Sequence, residues 1–243
     1  MTLTHKRILI TGGTSGIGLE TVHRLAVDNQ LIVVGRNNLM LQSLSSQYPS
    51  IETHCCDLSN VDEVFALVAY LSARHRHLDI LINNAAIQYA KKLNDDDYDR
   101  SSIAVEINTN FTAVCLLTHG LMPLLQRAQQ GLVVNVNSGL ALAPKSSSAV
   151  YCATKAAMHS FSQSLNHQLK SSNVAVLQAF MPVVDTPMTE GRGRNKISAQ
   201  QAANKLLDGI QHKVIENDIG KVKLLRWLLR LVPSVAKRIM VNA

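Results

Sequence analysis

Residues 6–35 limit what this chain can fold into more than any other stretch. Lys6-Arg7-Ile8-Leu9-Ile10-Thr11 reads as a short buried strand, and Gly12-Gly13-Thr14-Ser15-Gly16-Ile17-Gly18 follows at once. Residues 19–27 then have helical spacing, and Leu31-Ile32-Val33-Val34 is a second buried strand. This is a βαβ unit with its glycines at the first strand-to-helix turn. Glycine there lets the backbone turn tightly and approach a pyrophosphate, while the helix N-terminus aims N–H groups at the anion. Gly12, Gly16 and Gly18 give T-G-x-x-x-G-x-G rather than G-x-G-x-x-G, and meet a similar need. The loop points to a nucleotide.

The rhythm continues downstream. Strand-like runs recur at 51–55, 78–82, 132–137 and 174–180, with helical patterns between them at 61–75, 97–128 and 148–171. Alternating strand and helix predicts an α/β fold: a doubly wound Rossmann-type sheet of seven mostly parallel strands, with helices on both faces. No linker or repeat interrupts it, so 1–243 is expected to be one domain, and its 47% apolar content supplies a sizeable core. Residues 182–196, rich in breakers (Pro187, Gly191, Gly193), read as a long mobile loop over the substrate. Ser198-Ala199-Gln200-Gln201 caps a helix expected to reach about Glu216.

Tyr151 and Lys155 lie four apart in a segment of helix formers, so both leave the same helix face. A phenol titrates near ~10, and a fixed positive charge beside it favours phenolate; lowering it by ~3 pH units takes ~4 kcal/mol. Alone the pair is weak evidence, because the spacing also arises by chance on exposed helices. At the end of the second strand, an NAD site usually carries an acid for the ribose hydroxyls. Here Gly35 is followed by Arg36, whose guanidinium can grip a 2′-phosphate with two charge-assisted hydrogen bonds. NADP(H) is therefore expected over NAD(H), with NAD(H) still possible.

With the glycine loop, Asn83-Asn84-Ala85-Ala86, Ser138 and Tyr151/Lys155 in this order, residues 7–188 resemble the short-chain dehydrogenase/reductase family. The combination is far more specific than any one motif. The resemblance implies cofactor contacts from Gly12, Thr14, Ser15, Gly16, Ile17, Gly18, Arg36, Asp57, Leu58, Asn84 and Ala85. Thr186 would contact the nicotinamide carboxamide. It also implies that Tyr151 moves the proton at the carbinol oxygen and that Lys155 binds the nicotinamide ribose while keeping Tyr151 acidic. Ser138, thirteen residues before Tyr151, would hydrogen-bond the carbonyl oxygen. The family's asparagine has two candidates, Asn108 and Asn110; the short Thr112-Ala113 run after it favours Asn110, which would hold a water relaying protons towards Lys155. The long helices at 97–128 and 148–171 pair subunits in such proteins, implying a homodimer or homotetramer. Met181-Pro182 stands where the family carries Pro-Gly. A comparable departure, with a basic apolar tail, makes the chain similar to the family's DltE-like branch.

Other features exclude more than they assert. Cys55, Cys56, Cys115 and Cys152 have no C-x-x-C spacing, so they read as buried or half-buried apolar residues in a reducing, cytoplasmic setting. The nine histidines show no ligand spacing, and Asp95, Asp96, Asp97 and Asp99 read as an exposed helix start; no metal is expected. The net charge of +7 is concentrated in 221–243, which holds six Lys/Arg and no acid, leaving the rest near balance. With no nucleic-acid motif, a nucleic-acid partner is not expected. Residues 224–232 read as an apolar, mostly buried helix with Lys223, Arg226 and Arg230 along one stripe. Packing over the substrate loop or against a second subunit is favoured over peripheral contact with an anionic membrane. The chain is thus expected to be an NADP(H)-dependent oxidoreductase acting on a small carbonyl or secondary alcohol. The rival is a nucleotide-binding regulator on the same fold; Ser138, Tyr151 and Lys155 speak against it, because a sensor needs no proton-transfer group.

Overall fold

In the computed structural model residues 1–241 are described, and the last two positions of the basic tail, 242–243, lie outside them. Seven strands form one sheet: β1 (Arg7–Thr11), β2 (Gln30–Gly35), β3 (Glu52–Cys55), β4 (Ile80–Asn83), β5 (Gly131–Ser138), β6 (Val174–Met181) and, at the edge, Glu216–Asp218. Between them run α1 (Gly16–Leu25), α2 (Asn38–Gln47), α3 (Val61–Arg74), α4 (Ser101–Ile107), α5 (Ala113–Gln126) and α6 (Ala149–Gln168). Two short strands, β7 (Val184–Asp185) and β8 (Ile197–Ser198), precede α7 (Ala199–Gln211), so the edge strand is β9. Helices α8 (Val222–Leu231) and α9 (Pro233–Val241) complete the chain.

The sheet order is β3-β2-β1-β4-β5-β6-β9, and every pairing is parallel. The winding reverses between β1 and β4, which opens a crevice at the carboxyl ends of the strands. Side chains alternate across the pleat to build two cores. Ile8, Ile10, Val33, Ile82 and Val134 pack under α1, α2 and α7 on one face. Leu9, Ile32, Val34, Leu81 and Val133 pack under α3 and α5 on the other. Burial on both faces explains why these strands read as continuous apolar runs.

Three expectations need correction. The helix opened by Ser198, whose Oγ accepts from Gln201 N at 3.0 Å, stops at Gln211 and does not reach Glu216. Lys213 takes φ 53°, and the bonds Lys213 N to Ile210 O and Val214 N to Gly209 O close a Schellman-type end. A lysine in the place usually held by glycine left no stop signal. The freed segment then pairs as β9 with the open edge of β6, Gln178 to Glu216 and Phe180 to Asp218. Next, 182–196 is not a plain loop, because β7 and β8 pair through Val184↔Ile197 and Asp185↔Ser198. Finally, α8 is not mostly buried: Val222 alone is buried there, while Leu224, Trp227 and Leu231 are 61, 61 and 70% exposed. The ten-residue helix meets the body along a single stripe, through Val222, Leu225 and Arg226.

Candidate active site

The crevice at the switch point holds a cleft of about 540 Å³. Its floor is the turn between β1 and α1. Gly12 has φ 66°, and a Cβ there would come within 2.8 Å of the Ala85 backbone. At Gly18 a Cβ would meet the Gly12 carbonyl oxygen at 2.1 Å. Only glycine lets the loop fold back on itself this closely. Ser15 sits at the N-cap of α1 with no side-chain hydrogen bond into the helix, and the first turn carries no acid. The donors and dipole at this helix end are therefore open to an anion.

Thr11 ties this turn to β4. Its Oγ1 accepts from Asn84 N at 3.0 Å and Ala85 N at 3.1 Å, while Asn84 Nδ2 donates to the carbonyls of Thr11 and Gly12. Asn84 lines the cleft, yet its amide donor is spent holding the glycine turn. Sequence reasoning missed Thr11; a hydroxyl at the last residue of a buried strand was the available signal. At the end of β2, Gly35 leaves room for the Thr14 methyl, which would lie 2.7 Å from a Cβ. Arg36 follows, exposed at the cleft wall beside Asp57 and Leu58. Asp57 Oδ1 accepts from Ser59 N and Oγ, both at 2.9 Å, an Asx turn that leads into α3. Cys55, expected to be buried or half-buried, is exposed, and its thiol donates to the Arg36 carbonyl. Burial pushes the neighbouring Cys56 thiol up to about 11.

At the other end, Ser138 finishes β5, and Tyr151 and Lys155 stand one turn apart on α6, 8 and 3% exposed. All three line the cleft. Burial pushes the Tyr151 phenol up to about 12, opposed by the Ser138 hydroxyl beside it. Burial alone pushes Lys155 down to about 8. Its Nζ donates to Val136 O at 2.9 Å, and it makes no ion pair among the described residues. Two of its three N–H groups thus await acceptors. The Lys155 ammonium lies 5.8 Å from the Tyr151 ring centroid, and desolvation dominates the shift of the phenol.

Between α4 and α5 the helix widens into a π turn, Asn108–Thr112, a distortion frequent at functional sites. Asn110 is fully buried there. It accepts from Ile87 N at 2.8 Å, donates to Ile87 O at 2.9 Å and reaches Thr154 Oγ1 at 3.3 Å. It fixes the backbone of a cleft-lining residue without lining the cleft itself. Asn108 points elsewhere and donates to Ser59 O. The Thr109 hydroxyl is buried without a partner among the described residues, and Thr109 is one of the residues lining the same cleft.

Thr186 lies over the glycine turn, its methyl 2.9 Å from where a Gly16 Cβ would be. The far half of the cleft is walled by Gln88, Leu140, Met188, Val222, Leu225 and Met240, with Lys145 and Arg192 among its cations. Burial, then Arg192, holds Lys145 below the usual lysine range. Arg192 donates to Gln88 Oε1 and to Met188 O. Neither cation was found from sequence, although Lys145 stands between Ser138 and Tyr151, where a charge is conspicuous.

The glycine cradle, the uncommitted Ser15, the exposed Arg36 and the desolvated Lys155 together fit a dinucleotide. The short chain dehydrogenase family model matches residues 6–197. This chain belongs to that family. An uncharacterized oxidoreductase of Bacillus subtilis (strain 168), DltE, is 35% identical over 93% of this chain and 92% of its own length. A Staphylococcus epidermidis uncharacterized oxidoreductase is 30% identical over 83% and 89%. Among solved structures, a short chain dehydrogenase from Burkholderia cenocepacia in complex with NADP superposes with TM-score 0.88, at 20% identity and full coverage of both chains. One from Sphingobium yanoikuyae with NADPH gives 0.82 at 24% identity, covering 97% of this chain and 95% of that one. Another, from Burkholderia phymatum with NAD, gives 0.83 at 18%, covering 95 and 96%. These likenesses establish the fold.

Proposed function

We propose that this protein is an NADP(H)-dependent reductase of a small carbonyl substrate, with Tyr151 as proton donor. The observation carrying the reading is the convergence of Ser138, Tyr151 and Lys155 at one end of a cleft whose other end is the glycine turn and Arg36. Gly12, Thr14, Ser15, Gly16 and Ile17 would hold the pyrophosphate, with Gly18 packing the turn. Asp57 and Leu58 would flank the adenine, and Asn84, Ala85 and Thr186 the nicotinamide end. Arg36 would take the 2′-phosphate, as NADP and NADPH occupy two of the similar structures. NAD(H) is the weaker alternative, and one similar structure holds NAD.

Bound there, the nicotinamide supplies the hydride. As hydride reaches the carbonyl carbon, charge develops on oxygen, and donors aimed at that oxygen stabilise the transition state more than the substrate. Ser138 Oγ and the phenol of Tyr151 are those donors. Burial holds the Tyr151 phenol above its ordinary value, so it keeps its proton at neutral pH and has one to give. Its proton goes to the carbonyl oxygen, leaving an alcohol and the oxidised nucleotide. Lys155, charged at pH 7, has two N–H groups for ribose hydroxyls and stabilises the phenolate left behind. Asn110 keeps Ile87, and so the cleft wall, in place.

NADPH consumption against aldehydes, ketones and quinones, alongside binding of NADPH and NADH, tests the reading. Turnover on at least one carbonyl class with tighter NADPH binding is expected. Tighter NADH binding sinks the cofactor assignment, and no turnover on any class favours a non-catalytic nucleotide binder.

A further inference from the structure

The two last helices present an apolar surface that nothing among the described residues covers. Leu224, Trp227 and Leu231 recur at three and four residues along α8, so they form one stripe, and all are exposed. Val232, Val235, Ile239 and Val241, also exposed, carry it onto α9. The opposite side is engaged. Val222 and Leu225 pack at Gly139, Met240 lines the cleft, and Ala236 is buried. Arg226 is engaged as well, bonding Asp218 through Nε and Nη2 and Glu216 through Nη1 at 2.8 Å. Lys223, Arg230, Lys237 and Arg238 stay exposed around the stripe, and residues 221–241 contain no acid.

We propose that this face docks on an anionic lipid bilayer. Soluble monomers seldom expose so extended an apolar patch without a partner for it. An apolar stripe rimmed by cations, with a tryptophan at its centre, has the chemistry of a helix lying in a lipid interface. A second copy of the chain is the poorer occupant. A two-fold contact would set the patch against itself, bringing four cations per subunit towards four others with no carboxylate from this segment between them. The helices rest on the surface and do not span it, at ten and nine residues against the ~20 a span needs. Val222, Leu225 and Met240, on the opposite side of these helices, border the far half of the cleft, so docking places that half about one helix thickness from the lipid. Binding at this face is independent of the reaction in the cleft.

Trp227 is the only tryptophan, which makes its emission a direct probe. The full chain is titrated with vesicles of phosphatidylserine and phosphatidylcholine, and with pure phosphatidylcholine, while co-flotation is measured. Expected is a blue-shifted emission, quenched by brominated acyl chains, on anionic vesicles only, weakening as salt rises. Lys223→Gln with Arg230→Gln lowers partitioning about 25-fold, at about fivefold per basic residue at an anionic surface. Leu224→Asn with Leu231→Asn abolishes the shift. Absence of a shift on anionic vesicles overturns the proposal, as does equal binding to both lipids. It fails equally if sedimentation finds a dimer that the leucine variants dissociate while the intact chain ignores vesicles. The lipid and salt series on the unaltered protein decides the matter even if a variant misfolds.

Discussion

Lys155 offers a quantitative handle on the site, because its side chain is buried with one backbone carbonyl as partner. An unfolded lysine holds its proton to about 10.5, whereas burial makes the folded one release it at about 8. Below pH 8 both states are protonated and the folded state bears the full desolvation cost. Between about 8 and 10.5 the unfolded chain binds more protons, so stability rises with pH. At about 1.4 kcal/mol per tenfold change in proton affinity, the span from 10.5 to 8 amounts to about 3 kcal/mol. Lys155→Met removes this titration and keeps the volume. Urea unfolding of both proteins from pH 7 to 10 should show the variant more stable than the parent at pH 7, with the gap closing by most of that amount. A constant gap across the range would mean that Lys155 has partners beyond Val136 O that offset its burial, and the reasoning would be wrong. Tyr151 acts oppositely and later: its folded value of about 12 exceeds the ordinary 10, so its contribution is lost only above pH 10.

Other consequences can be measured alongside. Arg36→Ala should weaken NADPH binding about 10- to 100-fold, the worth of one or two charge-assisted hydrogen bonds, and leave NADH within a few-fold; equal losses for both would remove Arg36 from the 2′-phosphate. Gly18→Ala drives a methyl to 2.1 Å from the Gly12 carbonyl and should cost about 1–3 kcal/mol in thermal or urea melts, together with nucleotide binding. A fully stable variant with unchanged affinity would contradict the packing described. Asn110→Ala orphans both Ile87 backbone groups and should cost about 1–3 kcal/mol with a fall in kcat; an unchanged melt would deny the positioning role.

What could be read from residues alone followed periodicity and glycine. Five sheet strands were visible because strands buried on both faces are written as apolar runs, with the partly buried, polar β3 the exception among the six read, and the nucleotide turn because three glycines mark a close approach. The edge strand at Glu216 was invisible for a physical reason. Its run is polar, it pairs on one side only, and the helix before it ends on Lys213 instead of glycine. The tail misled because its composition is that of a core helix, and burial depends on what else is near, which composition does not encode. Within the site, Ser138, Tyr151 and Lys155, which the family resemblance grouped, line one cleft. The state of the phenol could not be foreseen, since desolvation outweighs the nearby ammonium only once depth is known. Lys145 and Arg192 come from a loop and from the segment beyond β7, and no regular spacing links them.

The assignment of Tyr151 as proton donor is tested most directly by single-turnover oxidation of saturating NADPH with a carbonyl substrate identified in the panel, comparing the parent with Tyr151→Phe. Phenylalanine keeps the ring in its buried place and removes only the hydroxyl. Oxidation should slow by about 10²–10⁴-fold, the usual worth of positioned proton transfer, with NADPH affinity unchanged within a few-fold. A Tyr151→Phe protein that binds NADPH normally and oxidises it at the parent rate would contradict the mechanism.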